Sequence, residues 1–139
     1  MTKRIGQIEV KIDDRVFVID GDVLTKIDYL QIKEHLLKYA GDFAWVASTR
    51  EVVVKQLAYK ELELEEMYST LDISFRKQSG CKEREIKSYI YSNEDYKRLG
   101  REAVDLRYQA DRLKAVVTAM GKMESTLIQL STMAKREEQ

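Results

Sequence analysis

Apolar residues recur at alternating steps of three and four through the C-terminal third of this chain: Tyr96, Leu99, Ala103, Leu106, Ala110, Leu113, Val117, Met120, Glu124, Leu127, Ser131 and Ala134. The series keeps the heptad period of a coiled coil and slips only at Glu124 and Ser131. The chain contains no proline to interrupt it. A helix of about 40 residues is roughly 60 Å long at 1.5 Å per residue. A chain of 139 residues cannot wrap that length in a core of its own. Much of the seam must pack against another long helix, from this chain or from a copy of it. Leu99, Leu106, Leu113, Val117, Met120 and Leu127 are the expected contacts of a homo-oligomer.

The N-terminus has a different period. Ile8, Val10 and Ile12 alternate with polar residues, and Val16, Phe17, Val18 and Ile19 form a β-branched and aromatic run. Both read as strands, with Asp13 and Asp14 turning a hairpin and Asp20-Gly21-Asp22 ending it. Two strands alone are marginal in water, so the hairpin should lean on helices or add to a neighbour's edge. A helix is predicted from Val23 to Ala40, with Asp22 as N-cap and Gly41 as stop. Ser48 and Glu51 form a capping-box pair, which starts a second helix near Thr49, or earlier if Phe43-Ala44-Trp45 joins it. That helix runs through Val53, Leu57, Leu64, Met67, Leu71 and Phe75, with Lys60 spoiling the period and Gln78-Ser79-Gly80 ending it. A short helix follows over Lys82–Tyr91, with Ile86 and Ile90 on one side. Ser92 is the expected N-cap of the heptad helix. Gly100 and Gly121 within that helix mark close contacts or a bend.

The predicted fold class is therefore mainly α: a long-helix bundle of coiled-coil type with a short N-terminal β-hairpin. It is read as one domain over 1–139, comprising a hairpin arm (1–21), the helices of the N-terminal half (22–80) and the C-terminal helices (82–139). Charge adds a constraint. Twenty-four basic residues balance 24 acidic ones, so any binding to nucleic acid or membrane must come from a local patch. Cys81 is alone, which excludes an internal disulfide and suits a reducing, cytoplasmic setting. Met1-Thr2-Lys3-Arg4 leads into no apolar stretch, and no run approaches the roughly 20 residues that span a bilayer. Neither a signal peptide nor a membrane partner is expected.

No catalytic constellation emerges, and the chain is read as a non-enzyme without cofactor or metal. His35 is the only histidine and has no ligand-spaced partner. Cys81 beside Lys82 and Arg84 has cations that could lower its pKa but no catalytic partner. Glu61, Glu63, Glu65 and Glu66 scatter around a helix as a solvated face. The basic residues are more informative. Arg76, Lys77, Lys82, Arg84 and Lys87 bracket one interhelical turn, with Tyr89 and Tyr91 just beyond and Lys97, Arg98 and Arg101 following. Cations for phosphates and rings for bases are the elements of a single-stranded nucleic-acid site.

Three stretches carry a resemblance. Arg15-Val16-Phe17-Val18-Ile19-Asp20, followed by Val23-Leu24, comes first. A long middle helix with an aromatic end before a glycine is next. The third, Glu83 to Leu99, joins a short charged helix to the long C-terminal one. In this order they resemble the phage recombination mediators of the UvsY type, over most of the chain from about residue 15. The resemblance implies an oligomeric, ring-forming accessory in DNA recombination and repair. Such proteins bind single-stranded DNA and help a RecA-like recombinase replace single-strand-binding protein. Two departures stand out: the family's basic stretch falls on Lys60 to Leu71, which is mostly acidic here, and Thr2 to Asp14 has no counterpart. The rival reading is a protein-interaction module of phage or bacterial type, such as an assembly chaperone, a scaffold or an inhibitor of a host enzyme. There the seam and hairpin do the work without nucleic acid.

Overall fold

A computed structural model describes residues 6–12, 15–25, 32–78 and 82–137. Strands β1 (Gln7–Ile12) and β2 (Arg15–Asp20) pair antiparallel, from Gln7 opposite Asp20 to Ile12 opposite Arg15. A short helix α1 (Gly21–Leu24) follows. Then come α2 (Ile32–Lys77), α3 (Glu83–Ser92) and α4 (Glu94–Glu137). The fold is mainly α, with two long helices that pack together and a short N-terminal antiparallel hairpin. Asp13-Asp14, Ser79-Gly80, Cys81 and the side chain of His35 lie outside the described residues.

The helix boundaries differ from the sequence reading in several places, each for a local reason. Asp20, not Asp22, caps α1: its Oδ1 accepts from the Asp22 and Val23 N–H groups at 3.1 and 3.2 Å. The Asp22 Oδ2 instead accepts the N–H of Gly6 at 3.2 Å. Gly6 has φ +73°, a left-handed conformation that glycine adopts without steric cost. The helix expected over Val23–Ala40 is not continuous from its start, because α1 ends at Leu24 and α2 begins at Ile32. Gly41 does not stop α2, and Ser48 with Glu51 does not start a second helix. All three lie inside one helix of 46 residues. A glycine costs about 1 kcal/mol in a helix interior, and burial of Tyr39 and Val46 on either side of Gly41 outweighs it. Thr49 turns its hydroxyl back to the Trp45 carbonyl at 2.8 Å.

The chain divides into two compact units, Met1–Val53 with Gln109–Gln139, and Val54–Tyr108. In the first, the hairpin supplies Ile8, Val10 and Ile19 to the core. Helix α2 supplies Tyr39, Val46 and Val53, spaced by sevens, and α4 supplies Ala110, Leu113, Val116, Met120 and Leu127. Val116 is fully buried and its neighbour Val117 only half-buried. The hairpin adds a third body to this core, so the buried stripe on α4 is wider than a two-helix seam. Tyr39 sits in the middle and donates its hydroxyl to the Met120 carbonyl at 2.8 Å. Gly121 has only the Phe43 ring near it, at ordinary contact distance, and Gly100 faces open space. Neither marks a close helix approach.

The second unit contains the rest of α2, all of α3 and the start of α4. Lys60 stands at a seam position, which explains the break in the heptad. Its ammonium lies 2.9 Å from Glu102 and 3.7 Å from Glu63. The Glu102 hydrogen bond raises its pKa against the opposing effect of burial. Arg107 meets Glu61 at 2.7 Å. From Lys60 to Tyr68 along α2, the partners on α4 run back from Glu102 to Tyr96, so the helices are antiparallel here. Among the described residues, Ile86 and Ile90 of α3 and Leu99 and Ala103 of α4 are the buried apolar residues of this unit.

Leu99, Leu113, Met120 and Leu127 are thus buried by the chain itself, while Leu106 and Val117 are half-buried. Covering the seam does not require a second copy. Leu113→Ala should therefore cost the folded chain about 2–5 kcal/mol, read as a lower urea midpoint than wild type at the same protein concentration. Tyr39 gives a second expectation. Burial first, and Glu124 second, push its hydroxyl pKa up to about 12. The folded state holds this proton more tightly than the unfolded chain, whose tyrosines titrate near 10. Its contribution is complete below about pH 10 and is lost as pH rises towards 12. Tyr39→Phe should reduce the alkaline loss of stability in that window, as measured by denaturant titrations at fixed pH.

Candidate nucleic-acid interface

Helix α3 is positioned by its two ends and one apolar side. Lys82 is its N-cap, in extended conformation, and its backbone N–H donates to the Glu85 carboxylate at 3.4 Å. This is one half of a capping box; a lysine side chain has no acceptor to supply the other. At the far end Ser92 closes the helix, its hydroxyl donating to the Tyr89 carbonyl at 3.1 Å. Ser92 is therefore not the cap of α4. Asn93 is, with its Oδ1 accepting the Tyr96 N–H at 3.0 Å. Between these ends Ile86 and Ile90, four residues apart, are buried and fix which side of α3 meets the core.

The remaining residues are placed by helical geometry. At about 100° per residue, Arg84, Lys87 and Tyr91 fall within an arc of about 60° on the exposed side. All three are exposed. Tyr89 projects on the other flank of the buried face, about 160° from Tyr91 by the same geometry. The expected site is thus split. Tyr91 joins Tyr68 and Tyr96 in a triangle of rings with centroids 6.0 to 6.3 Å apart, each pair steeply tilted. Burial raises the pKa of Tyr96, and the nearby Tyr91 and Tyr68 add to this. Tyr89 instead stacks on Phe75 of α2, with centroids 4.9 Å apart and planes at 19°.

The charges divide in a similar way. Arg76 is held by Asp72 at 3.0 Å and Glu83 at 3.1 Å. The Asp72 hydrogen bond is the larger cause of its raised pKa. Glu83 and Glu85, the two carboxylates of α3, are thus engaged with Arg76 and with the helix N-terminus. Lys77, Lys82, Arg84 and Lys87 form no ion pair with another described residue, and all are exposed. On α4, Lys97 and Arg98 are turned to Glu94 and Asp95. In the stretch from Lys60 to Leu71, the one lysine is paired with glutamates, so no exposed cation remains there.

The arrangement can present phosphate-binding cations and one exposed ring from a single helical face. Sequence reasoning grouped Tyr89 with Tyr91 and missed Tyr68, Phe75 and Tyr96 as their ring partners. The spacing of Tyr68 and Phe75, seven apart on α2, was the available signal. Among the described residues, no group of three His, Cys, Asp or Glu is placed to hold a metal ion, and no helix is long and apolar enough to cross a membrane. Comparison with protein families, curated proteins and solved structures found no match.

The site depends on α3 being docked. Ile90→Ala should cost about 2–5 kcal/mol. Amide exchange over residues 83–92 should quicken more than exchange around Leu113, if α3 is held by this contact.

Proposed function

We propose that this chain is a non-catalytic accessory of the UvsY mediator type. It binds single-stranded DNA through the outer face of α3 and assists a RecA-like recombinase in displacing single-strand-binding protein. The observation that supports this reading is the alignment of Arg84, Lys87 and Tyr91 on one exposed face, with the carboxylates of α3 engaged elsewhere. Lys77 and Lys82 extend the cationic end. Arg76, held by two carboxylates, is a weaker phosphate ligand than its sequence position suggests. Tyr89 serves the contact between α3 and α2 rather than a base. A site of two to four cations is small, so useful affinity comes from several copies acting on one strand. This reconciles a neutral chain with DNA binding.

The rival reading, a protein-interaction module without nucleic acid, draws on the exposed valines of β2, Val16 and Val18. Titration of oligo-dT at several salt concentrations separates the two. The mediator reading expects affinity that falls with salt, at a slope of about 0.7 per phosphate neutralised on a single strand. Replacing Arg84 and Lys87 together by alanine should flatten that slope by roughly 1.4. Tyr91→Ala should lower affinity by about 1–3 kcal/mol and leave the slope unchanged. No binding at low salt, or binding indifferent to all three changes, would favour the interaction module.

A further inference from the structure

The hairpin has an edge whose hydrogen-bonding groups are aimed away from its partner strand. Gly21 N–H donates to the Gly6 carbonyl at 3.0 Å, flanking the pair Gln7–Asp20. That makes Gln7–Asp20 a non-hydrogen-bonded pair, and the pairs alternate along the ladder. Ile19, Phe17 and Arg15 therefore bond to β1, while Val18 and Val16 direct their N–H and C=O groups outwards. No described residue meets these groups. Their side chains are on the outer face of the sheet, 61 % exposed at Val16 and 54 % at Val18. On the opposite face Phe17 packs edge-on against Trp45, at 6.2 Å between ring centroids, and Trp45 is itself 45 % exposed.

We propose that β2 pairs antiparallel with β2 of a second copy, about a two-fold axis through Phe17, giving a four-stranded sheet. The parity of the outward groups allows few registers. With Phe17 on the axis, Val16 of each copy lies opposite Val18 of the other, and four backbone hydrogen bonds form. The four valines then make one apolar strip on the outer face. Glu9 and Lys11, which pair with Val18 and Val16 in the hairpin, stay outside that strip, and no like charges face one another. With Val18 on the axis, Val16 would instead oppose Asp20, whose carboxylate caps α1. A second copy is favoured over a foreign strand because this one arrangement pairs both valines, satisfies both sets of edge groups and brings the exposed rims of Phe17 and Trp45 from each copy to the axis. The patch is small beside a standard interface of about 1,600 Å², so the dimer should depend on concentration. The pairing does not rest on the nucleic-acid reading.

Sedimentation equilibrium of the full chain across the micromolar range tests it. Wild type should dimerise. Val16→Glu and Val18→Lys should each weaken the dimer by about tenfold or more, equivalent to about 1.4 kcal/mol. Circular dichroism should be unchanged, because both positions are exposed. Mixing the two variants should restore the dimer, since the introduced carboxylate then faces the introduced ammonium across the axis. A monomeric wild type would overturn the proposal and leave the edge to a strand of another protein. Variants that dimerise like wild type, or a mixture no tighter than its components, would overturn it equally.

Discussion

The structure depends on the mutual burial of two helical seams. Neither α2, with 46 residues, nor α4, with 44, can bury a stripe along its length without a long partner. Each finds that partner within the chain. Val46 and Val53 on α2, with Leu113, Met120 and Leu127 on α4, become core because the other helix is there. The hairpin and α3 then add their own apolar sides, Ile8, Val10 and Ile19 in one unit and Ile86 and Ile90 in the other. Isolated, an element as short as either would be marginal.

Ionic contacts refine this packing rather than drive it. Lys60 with Glu102 and Arg107 with Glu61 are partly or largely exposed pairs, of the kind worth at most about 1 kcal/mol each. Their effect is on register and on what remains available outside. Each carboxylate engaged by a neighbour is one fewer available to neutralise a surface cation. Arg76, Lys97 and Arg98 have carboxylate partners within reach, whereas Arg84 and Lys87 have none among the described residues. A chain with no net charge can in this way keep a local cationic face.

The aromatic residues show the same economy of position. Tyr89 and Tyr91 are two apart, which on a helix sends them to opposite flanks of the buried face. Tyr89 then meets Phe75, and Tyr91 meets Tyr68 and Tyr96. One ring serves mainly to attach α3 to α2. The other lies on the side of α3 that carries Arg84 and Lys87, and is itself exposed.

Periodicity alone was enough to identify the strands, the heptad on α4, the short α3 and the mainly α class, because repeats of 2 and 3.5 are local properties of side-chain direction. Local stop and start signals were less dependable. Gly41 and the pair Ser48–Glu51 carry the chemistry of a helix boundary, yet α2 passes through them, since burial of Tyr39, Val46 and Val53 outweighs penalties of about 1 kcal/mol. The basic character of the α3 region was legible as composition. Which cations keep an exposed, unpaired head was legible only in part: Asp72 lies four residues before Arg76 on the same helix and Glu85 three after Lys82, but Glu83 reaches Arg76 from a different helix. Likewise the heptad announced that its seam needed a partner helix, but a repeat carries no label for that partner. Only the tertiary structure assigned the seam to α2 of the same chain, because pairing within one chain is decided by where the intervening turn sends the second helix.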